Sequence, residues 1–135
     1  MRIVLDTNVL VSALLVQGSI PDRVLETVLA GRTRLIVDGR IMREYRTVLG
    51  RPEFGFASEQ VDDLLALLER SEQIIADPLP IALTDESDRP FVEVAACGGA
   101  DALVTGNRKH FQLRSGRIDV PLLSPRAYLE LLASL

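Results

Sequence analysis

The chain has 135 residues, the length of one ordinary domain, and a hydrophobic fraction of 47% that excludes a disordered chain. Its net charge of −4 counts against a broad basic surface for nucleic acid, although carboxylates that bind metal would contribute negative charge themselves. No apolar run approaches the roughly 20 residues of a membrane helix, and no signal-peptide pattern opens the sequence. We therefore expect a single domain over residues 1–135, located in the cytoplasm and not in a membrane.

The first predicted strand leads directly into an acid. Residues 3–5 form an apolar run, typical of a strand buried on both faces of a parallel sheet, and Asp6, Thr7 and Asn8 follow it. Open α/β sheets bind ligands at the carboxyl ends of their strands. Asp6 is therefore either a functional acid or the cap of the next helix, residues 9–15.

Strands alternate with helices along the rest of the chain. Pro21 and Gly31 mark the start and end of the second helix, and Asp38 caps the third. Further helices are predicted at residues 39–49, from 58, from about 88 to 98, and from 125. Further strands are predicted at residues 34–37, 74–76, 102–104 and 121–123, with a connecting loop at 77–87. This alternation predicts an α/β fold with a parallel sheet and helices on both faces.

Two more acids are expected near the carboxyl edge of this sheet. Glu44 lies on the border of the apolar stripe of the third helix, so it either extends to solvent or reaches toward Asp6. Asp88 leads the fifth helix, where the helix dipole favours a carboxylate, and it is either an ordinary cap or a functional acid. Asp85 and Glu86, in the preceding loop, are interpreted as solvated acids.

The fourth predicted strand, residues 102–104, has a polar residue on each side. Asn107 follows the strand and should lie at its carboxyl end with Asp6, whereas Asp101 precedes it and should lie at the opposite edge. We therefore include Asn107 in the candidate site and leave Asp101 out, although a misplaced strand would reverse that choice.

Together these residues predict a site for a hard divalent cation. Carboxylates held close together raise one another's pKa unless a positive charge neutralises them. An all-oxygen ligand set suits Mg²⁺ or Mn²⁺ and not zinc, which prefers His and Cys. His110 is interpreted as a surface or substrate-side residue, and Cys97, in an apolar helical stretch, as a buried inert thiol.

The chain resembles the PIN-domain ribonucleases, and most closely the bacterial PIN toxins of type II toxin–antitoxin pairs. The resemblance covers essentially the whole chain in the same order of elements, and its motifs are specific only in combination. They are residues 4–10 (VLDTNVL), Glu44 in the third helix, residues 88–96 (DRPFVEVAA) and residues 99–107 (GADALVTGN).

The resemblance implies a PIN-like three-layer α/β/α sandwich with a central, mainly parallel sheet. It also implies a metal-dependent endoribonuclease in which Asp6, Glu44 and Asp88 bind Mg²⁺ or Mn²⁺ and act catalytically. Asn107 stands where many members have a fourth acid, so a second metal would be bound more weakly. An RNA substrate, an antitoxin partner and a homodimer follow from the same resemblance.

Four further residues near the acids are candidates for roles in binding metal, water or substrate. Thr7, Asn8 and Thr105 are candidates for orienting the attacking water or the metal ligands, and each is equally well explained as a turn residue. Arg43, on the third helix, is a candidate phosphate contact.

Three other functions share features with this sequence. A haloacid-dehalogenase-like phosphatase also places an Asp at the end of its first strand, but it needs a second acid at the position of Asn8. A response-regulator receiver would need an acidic pair and a late lysine, which are not apparent. A PIN fold that binds RNA or protein without cleaving is the third, and the uncharged Asn107 keeps it open.

Overall fold

A computed structural model describes residues 1–135 and arranges them as a three-layer α/β/α sandwich, as predicted. The strands are β1 (Arg2–Leu5), β2 (Arg34–Val37), β3 (Glu72–Gln73), β4 (Ala82–Leu83), β5 (Ala102–Val104), β6 (Leu113–Ser115) and β7 (Leu122–Leu123). The helices are α1 (Thr7–Leu15), α2 (Ile20–Leu29), α3 (Gly39–Leu49), α4 (Ser58–Leu68), α5 (Arg89–Cys97) and α6 (Pro125–Ala133).

The main sheet has five parallel strands in the order β3-β2-β1-β5-β7. β1 is central, with Ile3 paired to Leu35 of β2 on one side and to Ala102 of β5 on the other. Because the strands run in one direction, the residues that follow β1, β2 and β5 meet at one edge of the sheet. That edge therefore collects Asp6 and the segment that begins at Thr105.

The three central strands form the middle of the hydrophobic core. Their apolar residues are almost completely buried, as expected for parallel strands covered by helices on both faces. The largest fully buried side chains are Tyr45 of α3, Tyr128 of α6 and Phe91 of α5. These three helices are thus fixed to the sheet by aromatic residues.

A two-stranded antiparallel ribbon, β4 with β6, lies outside the main sheet. The connecting loop predicted over residues 77–87 in fact contains β4, so that prediction is wrong there, and β6 lies in a segment for which no element was predicted. Strands this short show no periodicity, and each forms only because the other supplies its hydrogen bonds. The ribbon fixes the loop that precedes α5 against the segment that follows β5.

Three smaller expectations also need correction. The third strand is Glu72–Gln73 and not residues 74–76, because its partner β2 ends at Val37, which pairs with Gln73. α1 begins at Thr7, two residues earlier than expected. Cys97 is exposed and not buried, because it is the last residue of α5 and lies off the buried face of that helix.

None of the helices is long and apolar enough to cross a lipid bilayer.

Candidate active site

Asp6 is a buried acid at the carboxyl end of the central strand. The residue is only 7% exposed, and its Oδ2 accepts a hydrogen bond of 2.7 Å from the Thr105 hydroxyl. It occupies the cap position of α1 without making a side-chain capping bond, so the capping interpretation does not account for it. Burial raises the pKa of Asp6, the bond from Thr105 opposes this, and the charge of Glu44 adds to it.

Glu44 reaches the same edge from α3. Its Oε2 accepts a hydrogen bond of 2.5 Å from the Thr7 hydroxyl, so the carboxylate lies over the start of α1. The next residue, Tyr45, donates its hydroxyl proton to the Leu5 carbonyl oxygen at 2.5 Å. Two adjacent residues of α3 thus form hydrogen bonds with the two chain neighbours of Asp6, Thr7 and Leu5.

Asp88 comes to this edge just before α5. It ends a short 3₁₀ turn, Glu86–Asp88, and its Oδ2 is buried without a hydrogen-bond partner. Burial raises its pKa to about 6, and the charges of Asp85, Asp6 and Glu44 contribute in that order. Although Asp85 is exposed, it is therefore not electrostatically isolated from the candidate site. A carboxylate oxygen that is buried without a donor is suited to a cation.

The residues around the turn after β5 bind one another. Asn8 Oδ1 accepts from the Gly106 amide at 3.2 Å, and Thr105 Oγ1 accepts from the Asn107 amide at 3.0 Å. Asn107 is exposed at this edge, and its Oδ1 accepts from the Lys109 amide at 3.2 Å. The amide oxygen of Asn107 is therefore already used to cap the next turn.

Asp101 and Arg43 are placed as their positions in the sequence suggest. The Asp101 carboxylate accepts from the Arg2 amide at the start of β1, at 2.8 Å, so Asp101 lies at the edge opposite Asp6. Arg43 is exposed on α3 beside Glu44, and its guanidinium lies near Gly39, where a Cβ would be 3.5 Å from Nη1.

A buried ionic network, which the sequence pattern did not predict, fixes the loop before α5. Glu93 is 3% exposed, and its Oε1 accepts from Arg40 at 2.8 Å. Its Oε2 accepts from the Leu79 amide at 3.0 Å and from Arg89 at 3.3 Å. Arg89 also donates to the Ile81 carbonyl at 2.7 Å. The signal was present in the sequence, since Glu93 is the one charged residue in the apolar run 91–97.

The candidate ligands are all oxygen atoms, which suits a hard cation, but their side chains do not converge on a single position. No three His, Cys, Asp or Glu side chains lie close enough together, as arranged, to hold one ion. The charges of Glu44 and Asp6 nevertheless act on Asp88, and every candidate ligand is an oxygen. The unpartnered Oδ2 of Asp88 is the specific feature of the structure that fits a divalent metal.

The family model of the PIN domain matches residues 2–109, which include every candidate acid and the turn after β5. No curated protein matches the chain. PIN domains are generally nucleases, which implies binding of nucleic acid, and they usually use divalent metals. The chain belongs to the PIN domain family.

Proposed function

We propose that the protein is a metal-dependent endoribonuclease that hydrolyses phosphodiester bonds in RNA. The observation that carries this proposal is Asp88 Oδ2, buried without a hydrogen-bond partner at the sheet edge that also bears Asp6 and Glu44. The charges of Asp6 and Glu44 raise the pKa of Asp88, and carboxylates held this close destabilise a fold unless they bind something positive. Membership of a family that generally contains nucleases supports the same conclusion.

In this proposal Asp6, Glu44 and Asp88 are the catalytic and metal-binding acids, with Mg²⁺ or Mn²⁺ as the ion. Asn107 is a fourth oxygen ligand if its side chain releases the Lys109 amide. A divalent cation there would supply Lewis-acid activation of water and would neutralise charge on the phosphate.

The chain's own residues prepare the site. Thr105 fixes one carboxylate oxygen of Asp6, and Thr7 fixes one of Glu44, so each acid keeps its other oxygen for a ligand. Asn8 holds the turn at Gly106 against α1. These contacts limit the reorganisation that metal and substrate binding would otherwise require.

A direct test is the cleavage of single-stranded RNA by the purified protein with Mn²⁺. We expect cleavage that is lost in Asp6→Asn and in Asp88→Asn. Asp101→Asn is a matched control, because it neutralises an acid at the opposite edge of the sheet. Cleavage that survives both Asp6→Asn and Asp88→Asn would show that the assigned site is wrong.

The proposal extends to a toxin role in a type II toxin–antitoxin pair, with an antitoxin partner, a homodimer and a cytoplasmic location. Support comes from the resemblance carried by residues 4–10 and 99–107. Expression should arrest growth, and Asp6→Asn should relieve the arrest. A small gene for a DNA-binding protein adjoining this one would be the accompanying genomic observation.

A second candidate is a PIN module that binds RNA or protein without cleaving it. Asn107 favours it, because its amide carries no charge and its oxygen already caps a turn. RNA binding without cleavage in Mn²⁺, together with no thermal stabilisation by the metal, would select this function. Hydrolysis of a generic phosphomonoester would instead indicate a phosphatase.

A further inference from the structure

Three consecutive basic residues lie beside the acidic edge. Arg108, Lys109 and His110, here named the basic turn, begin the 3₁₀ turn that follows β5, and all three are exposed. The next residue, Phe111, is buried and packs edge-to-face on Phe91 of α5, with ring centroids 6.5 Å apart. The position of the basic turn is therefore fixed by an aromatic contact with the helix that follows Asp88.

The basic turn lies close enough to the acids to affect their pKa values, but its Arg and Lys form no ion pairs with them. Interaction with the His110 side chain lowers the pKa of both Asp6 and Asp88, against the burial that raises them. Arg108 and Lys109 form no ion pair with any carboxylate of the protein. Their charges are thus available to an external anion.

Other cations near this edge differ in this respect. Arg40 and Arg89 are bound to the buried Glu93 and cannot reach a ligand without breaking that network. Arg43 has no such partner, but it lies on α3, next to β2, whereas the basic turn follows β5. Since β1 lies between β2 and β5, the basic turn and Arg43 flank Asp6 on opposite sides.

We infer that the basic turn binds backbone phosphates of single-stranded RNA on the β5 side of the acidic edge, which rests on the proposed ribonuclease function. An RNA strand approaching the acids meets repulsion, and adjacent cations offset it. Phosphate contacts of this kind position the strand and carry no sequence information. The basic turn therefore sets the placement of RNA across Asp6 and not the choice of base.

Binding of a labelled oligouridine, measured by fluorescence anisotropy in EDTA over a range of salt concentrations, tests the inference without requiring cleavage. In the double variant Arg108→Ala/Lys109→Ala we expect affinity to fall about tenfold at low salt. The slope of log affinity against log salt should become shallower by about 1.4, since each phosphate contact on a single strand contributes about 0.7.

The matched control is Arg23→Ala/Arg32→Ala, which removes the same charge from two exposed arginines that border a separate cavity between α2 and α6. It should leave the slope unchanged, and thermal denaturation confirms that both variants fold. An unchanged slope in the Arg108/Lys109 variant, or no RNA binding by the wild type, overturns the inference. A shallower slope in a protein that binds but never cleaves RNA supports the inference while the proposed nuclease function fails.

Discussion

Tyr45 donates its hydroxyl proton to the Leu5 carbonyl, and these two residues are the chain neighbours of Glu44 and Asp6. The bond joins α3 to the end of β1 one residue away from each acid. It sets the separation of the two carboxylates through the backbone, independently of their charge. A contact in the core thus determines part of the geometry of the candidate metal site.

Tyr45→Phe should reduce both folding stability and the response to metal. The hydroxyl is fully buried, so its loss should lower the free energy of unfolding by about 1–2 kcal/mol. The rise in melting temperature caused by Mn²⁺ should shrink because Glu44 is less well positioned. Tyr128→Phe is the control, since that buried hydroxyl bonds to Thr33 away from the site. An equal loss of the metal response in both variants would contradict the positioning role.

Thr105→Val should weaken metal binding while the fold is retained. The substitution removes the hydroxyl that donates to Asp6 and accepts from the Asn107 amide. Groups that orient metal ligands typically contribute about 10- to 100-fold in affinity or activity. The Mn²⁺ concentration for half-maximal cleavage should rise by about that factor, and Thr105→Ser should restore it. Failure of the serine variant to do so would assign the effect to packing.

Without metal, folding stability should fall as the pH rises from about 4 to about 6. The folded-state pKa of Asp88 is about 6, above the ordinary value for an aspartate, so over this interval the folded state binds more protons than the unfolded state. The stabilising contribution of Asp88 is fully present below this interval and is lost as the pH rises through about 6. Because Asp88 is partly exposed, the change should be on the order of 1 kcal/mol. Chemical denaturation at several pH values measures it.

Asp88→Asn should remove most of this pH dependence. It should also abolish the stabilisation by Mn²⁺, which for the wild type would be about 2.7 kcal/mol at a metal concentration 100 times the dissociation constant. The metal effect should be larger at pH 7 than at pH 5, because protons compete for the same carboxylates. Metal stabilisation that is unchanged in Asp88→Asn would remove Asp88 from the ligand set.

The sequence predicted the centre of the fold and the acids better than the periphery. Residues 3–5, 34–37 and 102–104 are continuous apolar runs, and burial on both faces follows from that composition. Helical phase placed Glu44 on the border of the buried face of α3 but left open whether it extends to solvent or reaches toward Asp6. The two-residue strand β4 has no such signature, because its formation depends on β6, which is distant along the chain.

The details of the site depend on contacts between distant residues, which local patterns do not encode. The bond from Thr7 to Glu44 and the orphaned oxygen of Asp88 follow from side-chain packing after the elements assemble. Glu93 was overlooked because a glutamate within a helix usually faces solvent. Its isolation within an apolar run was the available clue.

Glu93→Ala should destabilise the protein by about 2 kcal/mol. Breaking a buried ion pair can cost about 3–5 kcal/mol, but Arg40 and Arg89 are partly exposed and can regain water. Limited proteolysis should cut residues 77–88 faster, because the Leu79 amide loses its acceptor. Glu130→Ala, at an exposed position of α6, is the control. An unchanged cleavage rate within 77–88 would show that the network does not hold the loop.

Gly116→Ala should destabilise the protein more than Gly31→Ala. Both glycines have positive φ, of 86° and 77°, so each substitution incurs backbone strain. At Gly31 a Cβ meets nothing within 4 Å, whereas at Gly116 it would lie 2.6 Å from Ile81 Cγ2 and 2.9 Å from the Pro80 carbonyl oxygen. We expect a loss of about 1 kcal/mol in the free energy of unfolding for Gly31→Ala and clearly more for Gly116→Ala. Equal midpoints in urea denaturation would contradict the predicted clash.

The ribbon of β4 and β6 joins two of the segments that form the candidate site. Asp6 follows the central strand β1 and Glu44 lies on α3, so both are outside these segments. The loop that leads to Asp88 and the segment that contains the basic turn are joined through the ribbon, where the Thr84 amide also donates to the Gln112 carbonyl at 3.1 Å. A bound protein that displaced the ribbon would disturb Asp88, a proposed metal ligand, and the basic turn, the proposed RNA contact, together. Such a displacement would require only local unfolding, which costs far less free energy than unfolding the domain.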